Sequence, residues 1–136
     1  GARWSEVQGL TSAQVSKYRL TFTQTKSKRN RSVPISPELY ELIPKHGIYE
    51  GRLFPPCYDA FEYAAQKSGV VLPEGQLSHV LRHTFASHFM MNGGNILVLQ
   101  RILGHSTITM TMRYAHFAPE HLDDAVRLNP LASPHS

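Results

Sequence analysis

The stretch from His79 to Tyr114 restricts this chain most. Its apolar residues recur at helical spacing, and Gly93-Gly94 and Gly104 interrupt it, so it reads as three short helices. On the first, His79 and Arg82 are three residues apart and share a face. Leu81, Phe85 and the pair His88-Phe89 mark a second, more apolar face that is expected to pack inward. The second helix has Asn95 as N-cap, Ile96, Leu99, Ile102 and Leu103 as core, and Gly104 just past its end. His105 follows, then Ser106 as the next N-cap. In the third helix Ile108, Met112 and Ala115 form one stripe, with Tyr114 on roughly the opposite side from Met112 and therefore free for chemistry. A guanidinium beside an imidazole repels a metal ion but suits a phosphate, which accepts from both.

Upstream, Arg3 to Leu10 reads as the end of a helix, and Arg3 and Glu6 are placed to pair. Tyr18 to Gln24 alternates and is rich in Thr and aromatics, a strand signal. Arg31 to Ile35 is a second strand, with Pro34 fitting an edge. The polar connection between them carries Lys26, Lys28 and Arg29. Ser36-Pro37 opens a helix that Pro44 stops, and a further helix covers Cys57 to Lys67 with Tyr58, Phe61 and Ala65 on one face. Pro119 starts a last helix with a stripe of Leu122, Ala125 and Val126, and an irregular tail follows from Asn129.

The charge is unevenly spread. Residues 1–35 hold seven Lys/Arg against one Glu, a net of 7 − 1 = +6, while residues 36–76 come to 3 − 6 = −3 and the remainder to 4 − 3 = +1. A local excess in the segment with Lys17, Arg19, Lys26, Lys28, Arg29 and Arg31 suggests a polyanionic partner, although a solvated charged loop has the same composition. Arg101 and Arg113 fit phosphate contacts or plain helix charges equally. The single cysteine, Cys57, cannot close an internal disulfide, which points to a reducing cytoplasm. No apolar run reaches the roughly 20 residues of a membrane span. His79 and His83, at i and i+4, could ligate a metal, but no third ligand accompanies them. His83, His88, His116 and His121 are given structural or surface roles.

Five segments, in order, resemble the catalytic domain of the tyrosine recombinases, most closely the integrases of temperate phages. G-A-R-W-S-E-V is similar to the segment carrying the family's first arginine, here Arg3, with Glu6 as acidic neighbour. T-K-S-K-R-N-R-S-V-P-I resembles the hairpin with the family's lysine, at Lys26. L-S-H-V-L-R-H-T-F-A-S-H matches the H-x-x-R box, giving His79 and Arg82. L-G-H-S-T supplies His105, and R-Y-A-H supplies Tyr114. The resemblance implies an α+β, mainly helical fold with a small antiparallel β-hairpin or sheet. It implies a catalytic domain over 1–128, truncated at its N-terminal side, with a C-terminal helix at 119–128 and a tail at 129–136.

It further implies site-specific cleavage and rejoining of DNA, in phage integration and excision, without metal or nucleotide cofactor. Tyr114 would attack the scissile phosphate to give a 3′-phosphotyrosyl link, with His79 as proton acceptor. Arg3, Arg82 and His105 would stabilise the phosphoryl oxygens, and Lys26 would protonate the departing 5′-oxygen. Double-stranded attachment sites, a tetramer on DNA and accessory DNA-bending proteins are the implied partners, in the cytoplasm of a bacterial host. A non-catalytic helix-turn-helix module, a metal nuclease, and, within the family, a chromosome-dimer resolvase or a transposon integrase are the alternatives.

Overall fold

Successive side chains of a strand face opposite ways, so Leu20 and Phe22 fall on one side of Arg19–Phe22, and both are buried. In the computed structural model, which describes residues 1–23, 29–73 and 75–132, this segment is β2. It is the centre of a three-stranded antiparallel sheet, between β1 (Val15–Ser16) and β3 (Arg31–Pro34). Leu20 pairs with Val33 and Phe22 with Arg31. The two expected strands are present, slightly shorter than read. Pro34, which has no N–H to give a ladder, sits on the edge strand β3. The connection holding Lys26 and Lys28 lies outside the described residues.

The buried face of the sheet joins Leu10, Ile43 and Leu53 in one apolar cluster. Against it stands α1 (Trp4–Gln8), a short helix with its own start at Arg3 and not the last turns of a longer one: the Arg3 N–H donates to Glu6 Oε1 at 2.8 Å, a capping arrangement that starts a helix. Trp4 packs edge-on to Tyr58 and against Phe61, with ring centroids 5.3 and 5.0 Å away, which fixes α3 (Tyr58–Lys67) beside α1. The Ser36 hydroxyl caps α2 (Pro37–Leu42) by accepting from the Leu39 N–H at 3.1 Å.

A second cluster, Ala86, Met90, Leu99, Leu103 and Tyr114, binds together α4 (His79–Met91), α5 (Ile96–Leu103) and α6 (Ile108–Met112). Asn95 caps α5 through its side-chain oxygen, and Leu99 and Leu103 are its buried stripe, both as read from the sequence. Three expectations fail here. The inward face of α4 is Arg82, Ala86 and Met90, while Leu81 and Phe85 are exposed. The small Ala86 allows neighbouring elements close, and Arg82 can share that face because carbonyls take up its charge. In α6 the stripe is inverted: Thr111 and Tyr114 are buried and Met112 is exposed. The helix stops at Met112 and passes into a 3-10 turn at Ala115–Phe117, so a helical reckoning does not extend past it. The N-cap of α6 is Thr107, one residue beyond Ser106.

The last helix is also shorter than expected. α7 covers only Asp124–Arg127, and Leu122, Ala125 and Val126 are all exposed. One isolated turn fixes several dihedrals for few hydrogen bonds, and no packed face extends it towards Pro119. Among the described residues, no helix is long and apolar enough to cross a membrane.

Candidate active site

Where α5 ends, four carbonyls lose their intrahelical partners. Gly104 adopts φ +74, in which a side chain is strained, and this reversal satisfies two of them. The His105 N–H donates to Gln100 O at 3.1 Å and the Gly104 N–H to Arg101 O at 3.2 Å. Guanidiniums from distant elements satisfy the other two. Arg31 Nε donates to Ile102 O at 2.9 Å, and Arg82 Nη2 to Leu103 O at 2.5 Å. A Cβ on residue 104 would also lie 2.9 Å from Arg31 Nη1, so the close approach itself requires glycine. His105 therefore leaves a turn whose carbonyls are all held.

Arg31 does more than close that turn. Its Nη1 and Nη2 meet Glu6 Oε2 and Oε1 at 2.5 and 2.9 Å, with the two side chains only 10% and 4% exposed. This overturns two expectations. Glu6 pairs with Arg31 and meets only the backbone N–H of Arg3, and Arg31 is turned inward rather than presented to DNA. Burial alone would raise the Glu6 carboxyl. The hydrogen bonds from Arg31 and the Arg3 amide, with the attraction of Arg31 and Arg82, outweigh it and hold the group below its ordinary 4.5.

Around this frame an open cleft of about 590 Å³ collects Arg3, His79, Arg82, His105 and Tyr114, five of the six residues singled out as catalytic. Arg3 arrives from the N-cap of α1, His79 and Arg82 from the first turns of α4, His105 from the turn after α5, and Tyr114 from just beyond α6. The sixth, Lys26, lies outside the described residues. Arg82 is buried, and its Nη1 is fixed by Gly1 O at 2.8 Å. Burial first, then Arg3, lowers its pKa to about 10, so it stays charged at neutrality. Arg113 also lines the cleft, and no carboxylate is among the described residues that do.

The His105 imidazole is uncharged at neutral pH. Burial, then Arg82, Arg3, Arg113 and Arg31, push it down to about 4. Its Nδ1 is 2.7 Å from the hydroxyl of Thr111, a side chain with no exposed surface. Tyr114, 5% exposed, is not the free phenol expected from helical reckoning. Its hydroxyl is hydrogen-bonded to Nδ1 of His83, and His83 follows Arg82 on α4. The phenol's partner is thus His83 and not His79, whose ring centroid is 6.3 Å from that of His83. Burial, then Arg113, His79 and Arg82, lower the pKa of His83.

Two residues of this site differ from the sequence reading: His83, expected in a structural or surface role, meets the Tyr114 hydroxyl, and Thr111, not singled out, meets His105. The spacing of His83 from His79 puts those two on the same side of α4, whereas Thr111 carries no local signal, because the helix ends before Tyr114. Among the described residues no group of three His, Cys, Asp or Glu is placed to hold a metal ion, so His79 and His83 remain without a third ligand.

The remaining cations lie elsewhere. Arg29 and Arg101 line a neighbouring surface cleft between β3 and α5, which reaches His105. Lys17 and Arg19 are exposed at the β1–β2 turn, away from the site, with Lys17 Nζ 5.3 Å over the Tyr18 ring. Lys28 lies outside the described residues.

Comparison with known proteins points to one family. Residues 56–121 match the model of the phage integrase family. The chain is 66% identical over 131 residues to the integrase of Escherichia phage 186, covering 96% of this chain and 38% of that protein. It is 65% identical over 134 residues to the integrase of Haemophilus phage HP1, covering 98% of this chain and 39% of that protein. It therefore spans about two fifths of the length of these relatives. The solved catalytic domain of bacteriophage HP1 integrase superposes with a TM-score of 0.89 at 64% identity, over 97% of this chain and 77% of that one. With a mainly helical fold, a small antiparallel sheet and this degree of likeness, the chain belongs to the phage integrase family of tyrosine recombinases.

Proposed function

We propose that this chain is the catalytic part of a site-specific DNA recombinase that performs phage integration and excision. The observation that carries the reading is the convergence of Arg3, His79, Arg82, His105 and Tyr114 on one cleft free of carboxylates among its described lining residues. Such a cleft favours a phosphodiester. Arg3 and Arg82 hold the non-bridging oxygens, and neutral His105 adds a hydrogen bond as negative charge grows on them. Tyr114 attacks the phosphorus and the bond to the 5′-oxygen breaks, leaving a 3′-phosphotyrosyl link and a 5′-hydroxyl. Lys26 is the proposed general acid for that oxygen. Since one phosphoester replaces another, rejoining is the same step reversed and requires no external energy.

The test uses the full-length protein and a duplex copied from the integrated element's junctions, nicked beside the cleavage position so that the released fragment diffuses away. The expected result is a detergent-resistant protein–DNA adduct that Tyr114→Phe abolishes while DNA binding persists. An adduct formed equally by Tyr114→Phe would refute the assignment, and no adduct with any junction duplex would favour a non-catalytic DNA-binding module. The same reading includes four copies on two DNA sites, with the exposed Leu122, Ala125 and Val126 stripe of α7 docked on a neighbouring copy. Truncation before Pro119 should then prevent assembly on DNA, as seen by sedimentation; unchanged assembly would exclude that docking. Accessory bending proteins would act on the DNA outside this chain.

A further inference from the structure

We propose that His83, through Nδ1, is the group that takes the phenolic proton of Tyr114 as the phosphotyrosyl bond forms. The inference rests on the recombinase reading above and moves to His83 the proton-acceptor role that the resemblance gives to His79.

Three observations carry it. The Tyr114 hydroxyl already donates or accepts at His83 Nδ1, whereas no comparable contact joins His79 to the phenol among the described residues. Both rings lie in the cleft that receives the phosphate, and the ring centroids are 5.8 Å apart. His83 sits on the long helix α4, with its own carbonyl engaged by Ser87 Oγ at 2.8 Å, so its ring rides on a fixed backbone next to Arg82. A base must lie within hydrogen-bond reach of the proton it abstracts, and here geometry singles out one imidazole.

The electrostatics keep His83 in the form that can accept a proton. His83 faces Arg113 and Tyr114 from the end of α6, and His79 and Arg82 from its own helix. Arg3 and His105 line the same cleft from α1 and the α5 turn. Burial and these cations favour the uncharged ring, which is the form able to accept a proton. A phosphodiester in the cleft contributes negative charge that offsets the guanidiniums, so an imidazolium at His83 becomes tolerable only when substrate is present. The proton then moves from Tyr114 Oη to His83 Nδ1, the Oη–P bond forms, the P–O5′ bond breaks, and the 5′-oxygen takes its proton from the general acid. On rejoining, the 5′-hydroxyl gives its proton back to the general acid's conjugate base and attacks the phosphorus, the Oη–P bond breaks, and His83 returns its proton to the phenol.

The experiment compares wild type, His83→Ala, His83→Gln and Tyr114→Phe in single-turnover cleavage of the nicked junction duplex across pH, with DNA binding and thermal melting measured alongside. Tyr114→Phe reports on the recombinase reading and the His83 variants on the base. Wild-type adduct abolished by Tyr114→Phe upholds that reading whatever His83 does. The expected result for both His83 variants is a loss of about 10²–10⁴-fold in cleavage rate, with DNA binding retained and the acid limb of the rate profile removed. Added imidazole should restore part of the His83→Ala rate. A duplex with sulfur at the bridging 5′ position, whose leaving group needs no protonation, should not restore it.

The fold-independent measurement is ¹⁵N NMR of the His83 ring in the chain without DNA. It is expected to show an unprotonated Nδ1 whose signal moves in Tyr114→Phe. Cleavage by His83→Gln within about threefold of wild type, rescue by the 5′-sulfur duplex, or a protonated Nδ1 at neutral pH would each overturn the proposal.

Discussion

Replacing Arg31 by methionine tests the frame on which the site is built. Arg31 joins three elements: it holds both oxygens of Glu6 on α1, it donates to Ile102 O at the end of α5, and it belongs to β3 itself. Methionine keeps much of the stem that lies over the Phe22 ring, where the guanidinium carbon is 4.7 Å from the centroid, but it removes every donor. Glu6 would retain only the Arg3 N–H, as a carboxylate with 4% of its side chain exposed. Breaking a buried pair by deleting one partner costs about 3–5 kcal/mol, and an orphaned carbonyl about 1–3, with overlap between the two. A loss of about 4 kcal/mol is expected, a large share of the roughly 5–15 kcal/mol that holds a domain folded. At a urea slope of about 2 kcal/mol/M this is a midpoint shift of about 2 M. Adding Glu6→Gln, which keeps an acceptor for the Arg3 N–H without the charge, should recover at least half. The dependence on pH follows from the lowered Glu6 pKa. The pair's contribution is complete above 4.5 and is lost as pH falls through the depressed value, so wild type and variant should converge in acid. A loss below about 1 kcal/mol, a double variant no better than the single, or a gap that persists at low pH would refute the reasoning.

Two further outcomes follow from the same geometry. Thr111→Val keeps the buried shape but leaves His105 Nδ1 without its hydroxyl partner, so we expect a loss of about 1–3 kcal/mol by thermal or urea unfolding and an altered His105 ring ¹⁵N signal. Thr111→Ser should restore both, and an unchanged ring signal in the valine variant would exclude the contact. Because folding lowers His105 from 6.5 to about 4, the unfolded chain binds more protons between those values, and stability should fall as pH drops through that window. His105→Gln should flatten that part of the curve; an identical slope would show that another group is responsible.

Much of the candidate site was legible because the residue types and the local structure coincide. His79 and Arg82 lie one turn apart on α4, and Asn95 and Gly104 mark the ends of α5 by side-chain capping and a left-handed turn, so the positions of Arg82 and His105 follow from short-range rules. What escaped was long-range. Nothing local distinguishes a cation that will meet a carboxylate from one that will meet solvent, and Arg31 was grouped with its exposed neighbours although its partners are Glu6 and Ile102. The same holds for the face of α4. Hydrophobicity favoured Leu81 and Phe85, yet Arg82 was buried instead, because Leu103 O and Gly1 O accept from it there. Tyr114 departs from helical periodicity for a different reason: α6 ends at Met112, so the stripe that Ile108 starts does not continue to it.

The placement of carboxylates links these misreadings to function. Residues 1–35 contain one acid, Glu6, and it is directed at Arg31 and the Arg3 amide rather than into the cleft. Had Glu6 paired with Arg3 as sequence proximity suggested, the cleft would have carried its own counterion and a phosphate would have had to displace it. With Glu6 held by Arg31, the side chains of Arg3, Arg82 and Arg113 face a space whose described lining contains no opposing carboxylate. Helix-end carbonyls, which carry partial negative charge, restrain Arg82 without neutralising it. Mutual repulsion among these guanidiniums is therefore retained in the folded chain, and on the proposed reading a bound phosphodiester would relieve it. Burial first, and then the same guanidiniums, disfavour the protonated forms of His105 and His83, so the charge distribution that suits an anion also favours two unprotonated imidazoles.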